Sequence, residues 1–258
     1  RVTARAQIII HQGFIRGSPH SGPRTKETTM TVTRRHFLFT GVSAAAMLGA
    51  GGAMARYFSH PKTTAMPDFP APTLVAADAA ELMQAGPLGE STLGDPNAPV
   101  TIVEYASMTC SHCAAFHKET FPALKENYID TGKVYFIFRE FPLDPVATAA
   151  FMLARCVPES QYFTFVSALF KNQNLWAFTD DRVGGLTKMG KQAGITQGKF
   201  DASLENQERL DGGNWVKDRG EKTFEVNSTP TFYINGEIRR GALPLDQFEE
   251  KINEQLPS

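Results

Sequence analysis

Val100-Thr101-Ile102-Val103-Glu104-Tyr105-Ala106-Ser107-Met108-Thr109-Cys110-Ser111-His112-Cys113 is the stretch on which the fold turns. Its β-branched start predicts a strand from Val100 to Tyr105. Ser111 to Tyr128 reads as a helix, with Phe116, Leu124 and Tyr128 on neighbouring faces and Pro122 expected to kink it. A Cys-x-x-Cys pair that leaves a strand and opens a helix puts both sulfurs in the first helical turn. There, unpaired backbone N–H groups and the positive dipole end favour an anion. Cys110 is the better placed of the two to be a thiolate. Cys113, one turn further in, is suited to closing the ring after Cys110 has attacked, and His112 between them can further favour the Cys110 anion. A thiolate stabilised in this way is a good leaving group, which turns the oxidised pair into an oxidant.

The same spacing also fits a zinc site or an inert structural disulfide. Structural zinc wants four ligands, and beyond Arg56 the further nitrogen or sulfur donors are His60, His112, His117 and Cys156. His117 lies four residues after Cys113 and could face the same way, but there is no second Cys-x-x-Cys. The redox reading is therefore favoured, with no metal or cofactor expected. Glu104 stands six positions before Cys110 on the strand face of Val100 and Ile102. In a central strand its carboxyl would be desolvated, its pKa raised, and it would be fitted to pass protons to or from Cys113. On an edge strand it would be an ordinary solvent-facing glutamate.

Further along the chain, Val134 to Phe141 reads as a second strand, apolar enough to be buried on both faces. Residues 144–224 carry Ala, Leu, Phe and Lys at helical spacing, with expected breaks near Pro158, Asn172 to Asn174, Gly194 and Gly212-Gly213, giving four or five helices. Thr231 to Ile234 returns to strand. Asn235-Gly236 is a strong hairpin turn, Glu237 to Arg240 answers it, and Leu245 to Leu256 makes a closing helix. The resulting order is that of a small mixed α/β sheet with a helical domain spliced into it. Pro230, taken alone, is a turn residue before the third strand. Cys156, beside Leu153 and Ala149, reads as a buried, unpaired small hydrophobe.

On the other side of the stretch, residues 56–90 are rich in proline, with one short helix expected from Ala76 to Gln84, and read as a linker or arm. Thr33 to Ala55 has a basic start at Arg34-Arg35, an apolar Ala/Gly middle and a small-x-small end at Ala53-Met54-Ala55. It is expected to be an export signal of twin-arginine type over residues 30–55, cleaved after Ala55. Met30 is the first methionine, so residues 1–29 are expected to be an upstream extension outside the native chain. Export would place the protein where thiols can be held as disulfides. The first 55 residues hold seven Lys/Arg and one acid, which leaves nineteen against twenty-six, a net of −7, from Arg56 onward. With 42% hydrophobic and 21% charged residues this is an ordinary foldable chain, and its acidic body argues against nucleic acid as a partner.

Glu104 before Cys110-Ser111-His112-Cys113, the strand end Phe138-Arg139-Glu140-Phe141-Pro142-Leu143, and Ser228-Thr229-Pro230-Thr231-Phe232-Tyr233-Ile234-Asn235-Gly236 together resemble the DsbA-like exported thiol:disulfide oxidoreductases. The similarity runs from about Gly89 to Leu256. It implies a thioredoxin-like fold with an inserted helical domain, divided here as 91–143, 144–224 and 225–258. It also implies Cys110 as attacking thiolate, Cys113 as resolving thiol, Glu104 as buried acid, Pro230 as a cis-proline opposite the cysteines, and Thr229 as a substrate contact. The implied enzyme is a periplasmic monomer that donates its disulfide to reduced, unfolded exported proteins and is reoxidised by a membrane redox partner. An isomerase or reductase of the same fold, or a zinc- or peptide-holding module without turnover, are the alternatives. The family's better known Pro-His dipeptide is Ser111-His112 here, and 56–88 is too short for the separate dimerisation domain of the isomerase branch.

Overall fold

The computed structural model describes residues 76–256. The expected upstream extension, export signal, His60 and the arm before residue 76 lie outside the described residues. A short helix, α1 (Ala76–Leu82), leads into strand β1 (Ser91–Leu93). Then follow β2 (Val100–Ala106), the long helix α2 (111–129) and β3 (Val134–Glu140). Helices α3 (Pro145–Ala154), α4 (Tyr162–Lys171), α5 (Arg182–Gln192), α6 (Gln197–Leu204) and α7 (Gln207–Thr223) come between β3 and β4. The chain closes with β4 (Thr231–Ile234), β5 (Glu237–Arg240) and α8 (Leu245–Gln255).

The strands form one sheet in the order β1-β3-β2-β4-β5. β2 and β3 are parallel, and the other three pairs are antiparallel. A parallel pair cannot be joined by a tight turn, and α2 supplies the crossover. Alternation along the strands divides the interior. Val100, Ile102, Ala106, Phe136, Phe138, Phe232 and Ile234 face α2, α8 and the inserted helices. Val103, Tyr105, Ile137, Tyr233 and Ile238 face a smaller core with Leu82, Val216, Phe224 and Val226. Glu104 belongs by alternation to the first of these faces. With both faces covered, β2 and β3 read in sequence as nearly unbroken apolar runs. The Asn235-Gly236 turn has φ of +45° and +88°, the left-handed pair that a two-residue hairpin needs.

Three local expectations are corrected. The distortion of α2 does not sit at Pro122 itself. The turn before it, Phe116–Thr120, is wound wide, with the Phe121 N–H bonded five residues back to Phe116 O, and Lys125–Ile129 repeats the pattern. Pro122 has no N–H and its ring crowds the preceding turn, which the wider winding relieves. Gly212-Gly213 is not a break but lies inside α7. A Cβ on Gly212 would collide with the Leu88 side chain, so the glycine lets the segment after α1 lie close against the helix. The strand β1 carried no legible signal, because three residues are too few to show a period. Residues 76–90 are tied down at both ends: Leu82 is buried in the smaller core, and Glu90 Oε1 meets Arg139 Nη2 at 2.9 Å. Among the described residues no helix is long and apolar enough to cross a membrane.

Candidate active site

β2 delivers its chain end to the start of α2, and the two cysteines sit at that junction. Cys110 is the N-cap, with extended backbone (φ −83°, ψ 121°), and it is half-buried. Cys113 is inside the first turn and has no solvent exposure. Both are free thiols. The Cys110 Sγ lies 3.2 Å from Thr229 O, in the cis Thr229–Pro230 peptide that precedes β4. The loop before β4 therefore faces the outer sulfur across the sheet.

The two thiols differ sharply. A hydrogen bond from the Cys113 thiol lowers the Cys110 pKa most. Partial burial opposes it, and Thr229 and the backbone N–H groups of Cys113 and His112 add to the lowering, for a final value of about 5. The Thr229 hydroxyl is buried and has no other partner, so it is free to turn to the sulfur. Burial pushes the Cys113 thiol well up, and the nearby Cys110 and Glu104 charges push it further. One sulfur is thus an anion at neutral pH and the other holds its proton. His112, its side chain exposed, contributes through its backbone N–H.

Glu104 is completely buried, as a central-strand position demands. Its neighbours across the sheet are Phe138 on β3 and Phe232 on β4. Burial raises its pKa, and His117 partly offsets the rise, because His117 Nε2 lies 2.9 Å from Glu104 Oε2. His117, weighed as a zinc donor, is turned instead to this carboxyl. Among the described residues no group of three or more His, Cys, Asp or Glu side chains could hold a metal ion.

The inserted helices grip the loop that carries the cysteines. Gln173, in the turn after α4, donates through Nε2 to Met108 O at 2.8 Å and to Cys110 O at 3.0 Å. Thr109 Oγ1 donates to Asp144 Oδ2 at 2.5 Å, and Asp144 Oδ1 caps α3 by accepting from Val146 N and Ala147 N. The Leu143 N–H donates to Ser107 Oγ at 3.2 Å. Sequence reasoning missed Gln173, Thr109 and Asp144 as parts of the site, and it missed the bond between His117 and Glu104. Only His117 carried a usable signal, its spacing of four from Cys113. Cys156 lies apart from this group. It is half-buried rather than buried, because it falls just past the end of α3, where Arg209 Nη1 donates to its sulfur at 2.8 Å.

Residues 88–254 match the family model described as Thioredoxin. Over 172 residues the chain is 31% identical to a protein of Rickettsia conorii named as a protein-disulfide oxidoreductase, covering 65% of this chain and 60% of that one. The chain thus spans about 60% of the length of the curated rickettsial relatives it matches. Disulfide bond formation protein D of Bacillus subtilis is 27% identical over 65% of this chain and 78% of its own length. Among solved structures, alpha-DsbA1 of Wolbachia pipientis is 32% identical, with a TM-score of 0.64 over 69% of this chain and 95% of that chain.

Proposed function

This chain belongs to the thioredoxin family, among its DsbA-like members, and from that premise we propose that it is an exported thiol:disulfide oxidoreductase that hands the Cys110–Cys113 disulfide to reduced, unfolded proteins in the periplasm. A substrate thiolate attacks Cys110 Sγ. The Cys110–Cys113 bond breaks as a mixed disulfide forms, and Cys113 leaves with the electron pair and takes up a proton near Glu104. A second substrate thiolate then attacks the substrate sulfur of the mixed disulfide, and Cys110 leaves as the stabilised anion. A disulfide-bearing membrane partner reoxidises the dithiol by the reverse sequence. Thr229 and Pro230 present backbone to the substrate chain beside the reacting sulfur, and the enzyme acts as a monomer without metal or organic cofactor.

The observation that carries this reading is the contrast between the two sulfurs. Cys110 is half-exposed, 3.2 Å from Thr229 O and held at about pKa 5, while Cys113 is sealed and protonated. Lowering the outer thiol stabilises the reduced form and makes the disulfide oxidising. A preference for unfolded chains is supported by Leu143 and Leu175, which are 53% and 64% exposed. Each stands within two residues of a hydrogen bond to the cysteine loop. Two measurements test the proposal. The reduction potential should be clearly less negative than the roughly −270 mV of thioredoxin. Cys110→Ser should abolish oxidation of a reduced, unfolded protein substrate. A potential at or below the thioredoxin value, or an active Cys110→Ser, overturns the reading.

A further inference from the structure

The His117 ring is enclosed by aromatic side chains. It stacks on Phe170 of α4 with ring centres 4.4 Å apart and planes 15° apart. Phe121, Phe116 and Phe138 surround it at 4.8, 5.2 and 5.7 Å. From β2, Glu104 faces it with a carboxyl oxygen at 2.9 Å. The helix that bears His117 adds two titratable groups, Cys113 one turn earlier and Cys110 at the helix start, and β3 and α4 present only rings to it. Glu104 Oε1 and His117 Nδ1 are buried and have no hydrogen-bond partner. A lone carboxylate is strongly disfavoured in such a site, whereas one that accepts an N–H bond from a neighbour is tolerated.

We propose that His117 is a positioning residue for thiol exchange: it holds Glu104 Oε2, leaves Oε1 free for the Cys113 sulfur, and stabilises the carboxylate that forms when Oε1 gives up its proton. The inference rests on the thiol-exchange reading above. When substrate thiolate attacks Cys110 and the Cys110–Cys113 bond breaks, the electron pair stays on Cys113 Sγ, which is protonated from Oε1 through one intervening water, since Oε1 makes no direct hydrogen bond to the thiol. In the reoxidising half, Cys113 returns that proton to Oε1 as its sulfur attacks Cys110 in the mixed disulfide, and the oxidising partner leaves as a thiolate. Over the cycle the pair gives one proton and regains it.

The test is the pH dependence with which Cys113 closes a mixed disulfide between Cys110 and glutathione, measured on the full chain as wild type, His117→Phe, Glu104→Gln and the double variant. His117→Phe removes the group that eases ionisation of Glu104. Its rising limb is expected roughly one pH unit or more above the wild-type limb, with about a tenfold slower rate below it. In Glu104→Gln the limb disappears, and adding His117→Phe to it changes nothing more. An unmoved limb in folded His117→Phe, or losses that add in the double variant, overturns the proposal. If His117→Phe does not fold, His117→Gln, which keeps a donor for Oε2 without titrating, is expected to remove the ring's share of the shift, and a wild-type profile there overturns the proposal. The native chain gives a reading free of any variant. Imidazole nitrogen signals, used as a probe of the neighbouring carboxyl, should report Glu104 ionising at higher pH in the reduced form, where the Cys110 anion opposes that ionisation, than in the oxidised form. Identical titrations in the two states overturn the proposal. A wild-type protein that closes the mixed disulfide with an unmoved variant limb removes the role of His117 alone, whereas one that never closes it removes the thiol-exchange reading itself.

Discussion

At Cys110 several weak donors converge on one sulfur, and their order has a consequence. The Cys113 thiol is the largest lowering influence, ahead of Thr229 and the two backbone N–H groups. A hydrogen bond to a charged group is worth about 1.5–3 kcal/mol, and one pKa unit about 1.4 kcal/mol. In Cys113→Ala the Cys110 titration, followed by thiolate absorbance or by alkylation rate against pH, should therefore rise from about 5 by about one unit or more. The half-exposed setting favours the lower end of that range. A value that stays near 5 would mean that the helix start and Thr229 hold the anion without Cys113. These two sulfurs and Glu104 are legible in the amino-acid order alone, because their relation is local: a strand with period two places the acid, and a helix start places the thiols.

The elements show where that legibility ends. Gln173 lies 63 residues from Cys110 in sequence, and its partners are main-chain carbonyls, which any residue carries, so nothing in the sequence marks the contact. The same holds for Thr109 and Asp144, joined across 35 residues. His117 showed half of its role, through its spacing from Cys113, but the carboxyl it meets belongs to another element. The pair Gly212-Gly213 misled because glycine signals both a chain break and a close approach, and only packing against Leu88 decides between them. The inserted helices are thus more than an appendage, since the turn after α4 holds the cysteine loop. Gln173→Ala leaves Met108 O and Cys110 O without that donor, and Gln173 itself is almost fully buried. An unsatisfied buried carbonyl costs about 1–3 kcal/mol. Denaturant unfolding of Gln173→Ala should show a loss in that range, with the denaturant slope unchanged. A loss under about 0.5 kcal/mol would mean that the loop is held by its own strand and helix, as surface substitutions of that size imply.

For the whole molecule, the redox state and the folding equilibrium are linked through the outer thiol. In the unfolded chain Cys110 ionises near 8.5, as free thiols do. In the fold it ionises at about 5. A depressed acid stabilises the fold fully above the unfolded value and loses that contribution as pH falls through the folded value. The reduced protein therefore gains stability between about pH 5 and pH 8.5, whereas the oxidised protein, which has no ionisable Cys110, does not. The rise of Glu104 comes chiefly from burial rather than from Cys110, so its own loss of stability on ionisation largely cancels in the difference, apart from its coupling to the Cys110 anion. Against this, the disulfide stabilises the oxidised form by closing a four-residue ring in the unfolded chain, worth only about 2 kcal/mol and independent of pH. The stability of the reduced form relative to the oxidised form should rise steadily from pH 5 to pH 8, by chemical denaturation of each form at matched pH. Cys110→Ser, which keeps the fold without the anion, should be flat across the same window when compared with the oxidised form. A difference between the two redox forms that does not change with pH would mean that Cys110 ionises no more easily in the fold than in the open chain, and the disulfide would then have no reason to be handed on.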